Sequence, residues 1–289
     1  MEVFSPMLGA AQAARPDIAV VHGASVEKIL QAAIDALGGV RRFISKGDVV
    51  VIKPNMAWDR APELAANTNP GVVAALVKIC LNAGAKTVKV FDRTCHEMRR
   101  AYAQSGIEAA AKAAGADVFF VGGRNLSSAE ERRYRETNFP DGVAFKSWPI
   151  LIDVLEADKL INVPIAKQHS ATKLSMAMKN WMGVMGGDRA RTHQNLDAAI
   201  ADLATVIKPH LAIIDAVNIL TANGPTGGSV KDVKRMDTVI AGVDQVALDS
   251  YGATLFGMTG DDLGSVKDAA KRGLGQKDLT KLNIRKLEA

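Results

Sequence analysis

Five apolar, β-rich runs in this chain close on a charged residue or a glycine, and helical periodicity separates most of them. "GDVVVIKPN" (47–55) reaches Lys53, with Pro54 and Asn55 behind it, and "KTVKVFD" (86–92) ends at Asp92, followed by Arg93. "KLINVPIAK" (159–167) ends at Lys167 with His169 two residues on, "HLAIIDAV" (210–217) carries Asp215, and "DTVIAG" (237–242) precedes Asp244. Between such runs lie "SVEKILQAAIDALGG", from a Ser cap to a Gly stop, and "NPGVVAALVKICLNAGA". This rhythm predicts an α/β fold: a mainly parallel sheet built from βαβ units, with helices on both faces. In such sheets ligands sit beyond the carboxyl ends of the strands, so the polar residues there are the informative ones.

The rhythm breaks over about 124–150, where Pro140-Asp141-Gly142 stands between β-rich flanks and predicts a small inserted β-hairpin. The remainder reads as a single α/β domain over 17–289. Residues 1–16 read as a leader. Ala11-Gln12-Ala13 fits the small-x-small rule of export-signal cleavage, although no basic segment precedes it. The expectation is a periplasmic or exported protein whose ordered fold begins near Asp17. The other reading is a plain disordered leader on a cytoplasmic protein.

The stretch 161–193 turns from a strand into a run of cations. A helix is expected to start near Ser170, and on it His169, Lys173, Met176 and Asn180 would share a face, with Thr172 and Lys179 on its shoulder. The competing reading is an ordinary amphipathic helix with its methionines in the core and its lysines in water. Gly183, Gly186 and Gly187 would let backbone approach a ligand, while Arg189, Arg191 and His193 supply donors suited to carboxylate or phosphate. The loop "TANGPTGGS" (221–229) reads equally as a lid or as a surface turn.

The expected site therefore takes a small anionic ligand. His169, Lys173 and Lys53 are the candidates for catalysis, His169 by moving a proton. Asn55, Asp92, Lys167, Thr172, Lys179, Asn180, Arg189, His193 and Asp215 are the candidates for holding the ligand. A polar residue that closes a strand often only caps a helix or pairs a charge, and that simpler reading suits Asp215 and Asp244 best.

Composition removes several alternatives. The net charge is +5, but the cations are dispersed and only three Trp and three Tyr occur, which argues against nucleic acid. No apolar run reaches the length of a membrane span. Two cysteines, Cys80 and Cys95, cannot hold a four-thiolate cluster, so no iron–sulfur cluster is expected in this chain. His96, His169, His193, Asp92 and Asp215 could ligate a metal, but none has metal-site spacing, and the metal question stays open. Walker, G-x-G-x-x-G and G-x-S-x-G patterns are absent.

"GDVVVIKPN", "TNPGVVAALVK", "AGAKTVKVFD", "YAQSGI", "ADKLINVPIAKQHSATKLSMAMKNWMG", "NLDAAIADLATVIKPHLAIIDAV", "NGPTGG" and "IAGVDQVALDSYGATLFG" follow one another from about residue 18 to 275. In these pieces and in their order the chain resembles the family known as domain of unknown function 362. The resemblance implies no particular reaction. Many members look fused to a ferredoxin-like iron–sulfur module, and others look like exported proteins with twin-arginine signals. This chain departs from the first group by its cysteines and is closer to the second, without the twin arginine. Three functions follow as expectations: an enzyme acting on a small carboxylate or phosphate; a binding or delivery protein for an anionic ligand or metallo-cofactor; or an accessory to an iron–sulfur redox partner.

Overall fold

The computed structural model describes residues 15–289. The strands are β1 (Ile18–His22), β2 (Val49–Pro54), β3 (Thr87–Val90), β4 (Asp117–Val118), β5 (Tyr134–Asn138) and β6 (Ser147–Leu151). They continue with β7 (Lys159–Val163), β8 (Ile165–His169), β9 (Lys173–Ser175), β10 (Leu211–Leu220), β11 (Val233–Gly242) and β12 (Ile284–Glu288). The main sheet has the order β12-β1-β11-β10-β7-β2-β3-β4. β10, β7, β2, β3 and β4 run parallel to their neighbours in that block, and β12 is parallel to β1. Only β11 opposes both of its neighbours, β1 and β10, so the sheet is mixed but mostly parallel.

Alternate residues of a strand face opposite sides, and here both sides lead into a core. Val50 and Ile52 of β2, with Leu211 and Ile213 of β10, pack under the helices Val26–Ala36 and Pro70–Asn82. Ala212 and Ile214 of β10, with Ile240 of β11, face the helices Leu196–Val206, Gln245–Thr254 and Gly264–Lys271. Helices thus cover both faces, as the alternation predicts, which explains why the central strands are nearly all apolar. Ser25, Asn69 and Asp244 cap three of these helices through their side chains, and Asp244 takes the simpler role expected of it.

The inserted segment forms the antiparallel pair β5–β6, with Pro140 to Gly142 in its connection. Asp202 of the helix Leu196–Val206 ties this hairpin down. Its carboxylate accepts the backbone N–H groups of Val143, Ala144 and Phe145 and pairs with Arg272 at 2.6 Å.

The reading of the N-terminal leader falls largely outside the described residues. The first strand begins at Ile18, and Asp17 before it donates to the carbonyl of Asn283 at 2.8 Å.

The structure departs from expectation after Val163. Pro164 interrupts the strand, and β8 shifts along β10, where Lys167 pairs with Leu220. The chain then turns back as β9, with Lys167 opposite Ser175 and His169 opposite Lys173. The helix expected from Ser170 is absent. What exists is a four-residue helix, Ala177–Asn180. The cause is tertiary: β10 runs on to Leu220, and β8 takes up the hydrogen-bonding groups of its outer half. Leu174 and Met176 then enter the core by strand alternation.

Lys173 opens β9 at a φ of 61° and is exposed. A left-handed backbone costs a residue with a Cβ about 1–2 kcal/mol, partly offset when glycine loses more freedom on folding. Lys173→Gly should therefore raise stability by about 0.5–1 kcal/mol in urea unfolding and leave anion binding unchanged. A loss of binding would return Lys173 to the site.

Candidate functional site

Lys53 leaves the carboxyl end of β2 with its side chain only 1% exposed. Its ammonium donates to the carbonyl of Pro54 at 2.8 Å and to Oδ1 of Asn180 at 3.0 Å. It also lies 2.8 Å from Oδ1 of Asp92, an ion pair by distance although not aligned as a hydrogen bond. Burial lowers the pKa of Lys53, and Asp92 opposes that shift. The other oxygen of Asp92 accepts the N–H of Met56 at 2.7 Å, so the pair also fixes the loop after β2. Gly183 lies against the pair: a Cβ there would stand 1.9 Å from Oδ1 of Asp92 and 2.5 Å from Nζ of Lys53. The glycine expected to admit a ligand instead admits this ion pair.

Lys167, in β8, points to the same place. It donates to the carbonyls of Ala66 (2.6 Å) and Pro225 (3.2 Å) and to Oδ1 of Asn55 (3.3 Å), and it stands 5.4 Å from the ring centre of Trp58. Burial lowers its pKa to about 7, and Lys179 and Lys53 push the same way. Asn180 joins the strands, donating to the carbonyl of Lys53 (3.0 Å) and to Asn162 (2.8 Å).

His169 accepts the N–H of Ala171 on Nδ1 at 3.1 Å. A neutral ring that accepts on Nδ1 carries its proton on Nε2. Burial first, then Lys179, Lys167 and His193, lower its pKa to about 3. The ring is therefore neutral near pH 7 and, with Nδ1 taken by Ala171, turns its Nε2–H to the remaining surroundings.

Lys179 is carried on the helix Ala177–Asn180. Asp249 caps that helix from outside, accepting from Ala177 (2.6 Å) and Met178 (3.0 Å). Burial, and then Arg189 and Lys53 against Cys95 and Asp197, bring the Lys179 amine down to about 8. Arg189 spans the opening, donating to the carbonyls of Thr94 (2.8 Å), Arg93 (3.0 Å) and Met182 (3.2 Å). Arg93 is wholly buried and gives its guanidinium to the carbonyls of Gly123, Met185, Gly187 and Arg124.

These side chains line an inner chamber of about 60 Å³, which shares part of its wall with an outer one of about 530 Å³. Trp58, Cys95, His169, Lys179 and Arg189 line both. Around the inner chamber stand five cations (Lys53, Arg93, Lys167, Lys179 and Arg189) and one carboxylate, Asp92. Asn55 and Asn180 also face it, whereas His193 reaches only the outer chamber. A wider groove of about 610 Å³ lies between the inserted hairpin and residues 187–195, where Arg191 stacks on Trp148. Its charges, among them Glu136, Lys146, Asp188 and Arg191, are of mixed sign. The excess of one sign, with Lys53, Arg93 and Lys167 buried and Lys179 and Arg189 partly so, marks the smaller cavity as the candidate site.

Three expected site residues lie elsewhere. Lys173 is exposed at the hairpin turn, because the helix that would have aimed it inward does not form. The Thr172 hydroxyl is spent on the carbonyl of Leu174 at 2.8 Å. Asp215 is buried within β10, not at its end, and accepts from the backbone of Asn69 (2.6 Å) and Val217 (3.0 Å). Burial raises its pKa to about 6.

Trp58, Cys95, Ser175 and Pro225 line the inner chamber without having been singled out. Trp58 and Cys95 follow the carboxyl ends of β2 and β3 by a few residues, so a wider window past each strand end would have found them. Ser175 appears only once the segment is read as a strand, opposite Lys167. Among the described residues, no three His, Cys, Asp or Glu side chains gather to hold a metal ion, and no helix is long and apolar enough to cross a membrane.

A thylakoid-associated protein of Synechocystis sp. is 25% identical to this chain over 229 residues, or 76% of this chain and 66% of that protein. The chain thus spans just under two thirds of that relative. Among solved structures, the lactate racemase apoprotein from Thermoanaerobacterium thermosaccharolyticum gives a TM-score of 0.41 at 14% identity, covering 79% of this chain and 54% of the other. A Thermotoga maritima protein gives 0.40 at 11% identity, covering 85% and 58%. The chain spans little more than half of each. The family model of the domain of unknown function DUF362 matches residues 50–254, a stretch that takes in every residue of the inner chamber, and the chain belongs to that family.

Proposed function

We propose that this protein binds a small anion, a carboxylate or a phosphate, in the inner chamber and acts on it as an enzyme. The observation that supports this reading is the excess of five cations over one carboxylate around about 60 Å³. Buried like charges repel one another and lose hydration, a cost that a bound anion offsets. Lys53, Arg93, Arg189 and Lys167 already hold protein oxygens, so they act mainly through their field. Lys179, the Nε2–H of His169 and the Ser175 side chain are left to touch the ligand. A neutral imidazole N–H suits polarising a carbonyl or phosphoryl oxygen, and an amine that titrates near neutrality suits proton transfer. That combination favours catalysis over capture alone.

Titration calorimetry with sulfate, phosphate and pyruvate tests the reading. Saturable binding is expected, and Lys179→Met should weaken it by roughly tenfold or more, the worth of one charge-assisted hydrogen bond, without loss of fold. Wild-type protein that binds none of the three would overturn it.

A further inference from the structure

One amine in the cavity is held by almost nothing. Lys53 and Lys167 each meet three protein oxygens. Lys179 has the thioether of Met182 at 3.5 Å, a weak acceptor, and no carboxylate lies in ion-pair contact with it among the described residues. It also lines both chambers, which places it where they meet. The titratable groups whose charge it feels or perturbs are Lys53 from β2, Cys95 after β3, Lys167 and His169 from β8, Arg189, and Asp197 on the helix Leu196–Val206. Burial chiefly lowers the pKa of Lys179, with Arg189 and Lys53 adding to the effect against Cys95 and Asp197. An ammonium so placed is more readily deprotonated, and the neutral amine is the nucleophile.

The two chambers differ in what they can accept. The inner one has room for a group the size of a carboxylate and little more, and its charge calls for one. The outer one has room for the rest of a small molecule. The carbon attached to the carboxylate then falls at the junction, beside the free amine. We propose that Lys179 forms an imine with a 2-oxo carboxylate whose carboxylate occupies the inner chamber, an inference that rests on the anion-binding reading above.

The step balances without any further reagent. The Nζ lone pair adds to the ketone carbon while the carbonyl π pair moves to oxygen. One proton passes from nitrogen to that oxygen, and the proton that the ammonium first gave to solvent water returns to the resulting hydroxyl. The nitrogen lone pair closes the C=N bond as the C–O bond breaks and water leaves. In sum, one ammonium and one ketone give one iminium and one water. The neutral Nε2–H of His169 is available to hydrogen-bond the oxygen as its charge grows. The iminium carries the same single positive charge as the ammonium it replaces, so the field that holds the carboxylate is preserved. It also withdraws electrons from the neighbouring carbon, which is what cleavage of a bond beside a carbonyl needs.

The test is reductive trapping on the full chain. Incubation with pyruvate and sodium borohydride should leave one reduced adduct by intact mass, mapped to the peptide that carries Lys179. Sulfate should suppress it, and acetone, which lacks the carboxylate, should give roughly tenfold less or lower still. Trapping at saturating pyruvate should quicken between about pH 6 and about pH 8, as the amine loses its proton. Lys179→Arg keeps the charge and removes the amine. This variant should still be protected by pyruvate in thermal unfolding while forming no adduct, and it serves if Lys179→Met does not fold. An adduct on Lys167, or adducts scattered over surface lysines, would overturn the proposal. Protection by pyruvate with no adduct on the wild type would sink the imine and leave anion binding standing. No protection by pyruvate, sulfate or phosphate would sink both.

Discussion

Asp92→Asn should destabilise the protein by about 3–5 kcal/mol in urea unfolding, because it leaves a buried ammonium without its counter-charge. Asn could still accept the N–H of Met56, as Asp92 does at 2.7 Å. Its amide would then turn donor hydrogens toward Nζ of Lys53, where the carboxylate now stands at 2.8 Å. The loss is sharpened by the company: among the described residues, Asp92 is the only carboxylate beside five cations around the inner chamber. The companion double variant Lys53→Met, Asp92→Leu should recover a large part of the loss, since a well-packed apolar pair of similar size often replaces a buried ion pair at little cost. Sulfate should stabilise Asp92→Asn more than wild type. A loss under about 1 kcal/mol would mean that water reaches Lys53 and that the cavity is not dry.

Sulfate affinity should fall by about a thousandfold between about pH 6 and about pH 9, measured by calorimetry. Sulfate keeps its charge over that range, so the change belongs to the protein. Lys167 and Lys179 titrate near 7 and 8, and both attract sulfate only when protonated. Each proton that must be regained on binding costs up to tenfold per pH unit above the pKa. Lys179→Met should remove the upper part of the fall and leave the part near 7.

The unliganded protein should respond in the opposite sense. Between about pH 7 and about pH 10 the unfolded chain binds more protons than the folded one, because its Lys167 titrates at the ordinary value, so stability rises with pH. Below that range Asp215 and Asp249 reverse the sign. Burial raises their pKa values to about 6 and about 7, so the folded state holds two protons that the unfolded state releases, against the one that His169, lowered to about 3, gives up on folding, and stability falls from about pH 4 to about pH 6. A shallow minimum of stability near neutrality is therefore expected without ligand. A flat sulfate profile would mean that the lysines keep ordinary pKa values and that water reaches both amines.

Much of this architecture is legible in the chain because local signals agree with it. The apolar runs before Lys53, Asp92 and Lys167 are strands with most of their apolar side chains buried, and the Ser25 and Asn69 caps start their helices where the chain places them. Lys53, Asp92, Asn180, Lys167 and His169 meet in one cavity because successive parallel strands deliver their ends to one edge. The misreadings share a cause. His169 and Lys173 are four apart, which puts them on one face of a helix but equally across a tight hairpin. Local spacing cannot separate the two. The outer half of β10 separates them, and it is remote in sequence. Asp215 misled for a related reason: a carboxylate inside a strand resembles a strand end until the loop that needs its oxygens, at Asn69, is known.

The absence of a helix after β8 also governs how this site can let go. Where a helix start grips an anion, the attraction comes from peptide dipoles that no change of pH removes. Here the chain after β8 offers a hairpin, and the amide groups at the start of the short helix beyond it are already taken by Asp249. If the proposed anion binds, much of the grip on it would therefore reside in amines that titrate within reach of neutrality. A modest rise in pH can discharge such a site, so its ligand would be held by a reversible bond to protons and released when they leave.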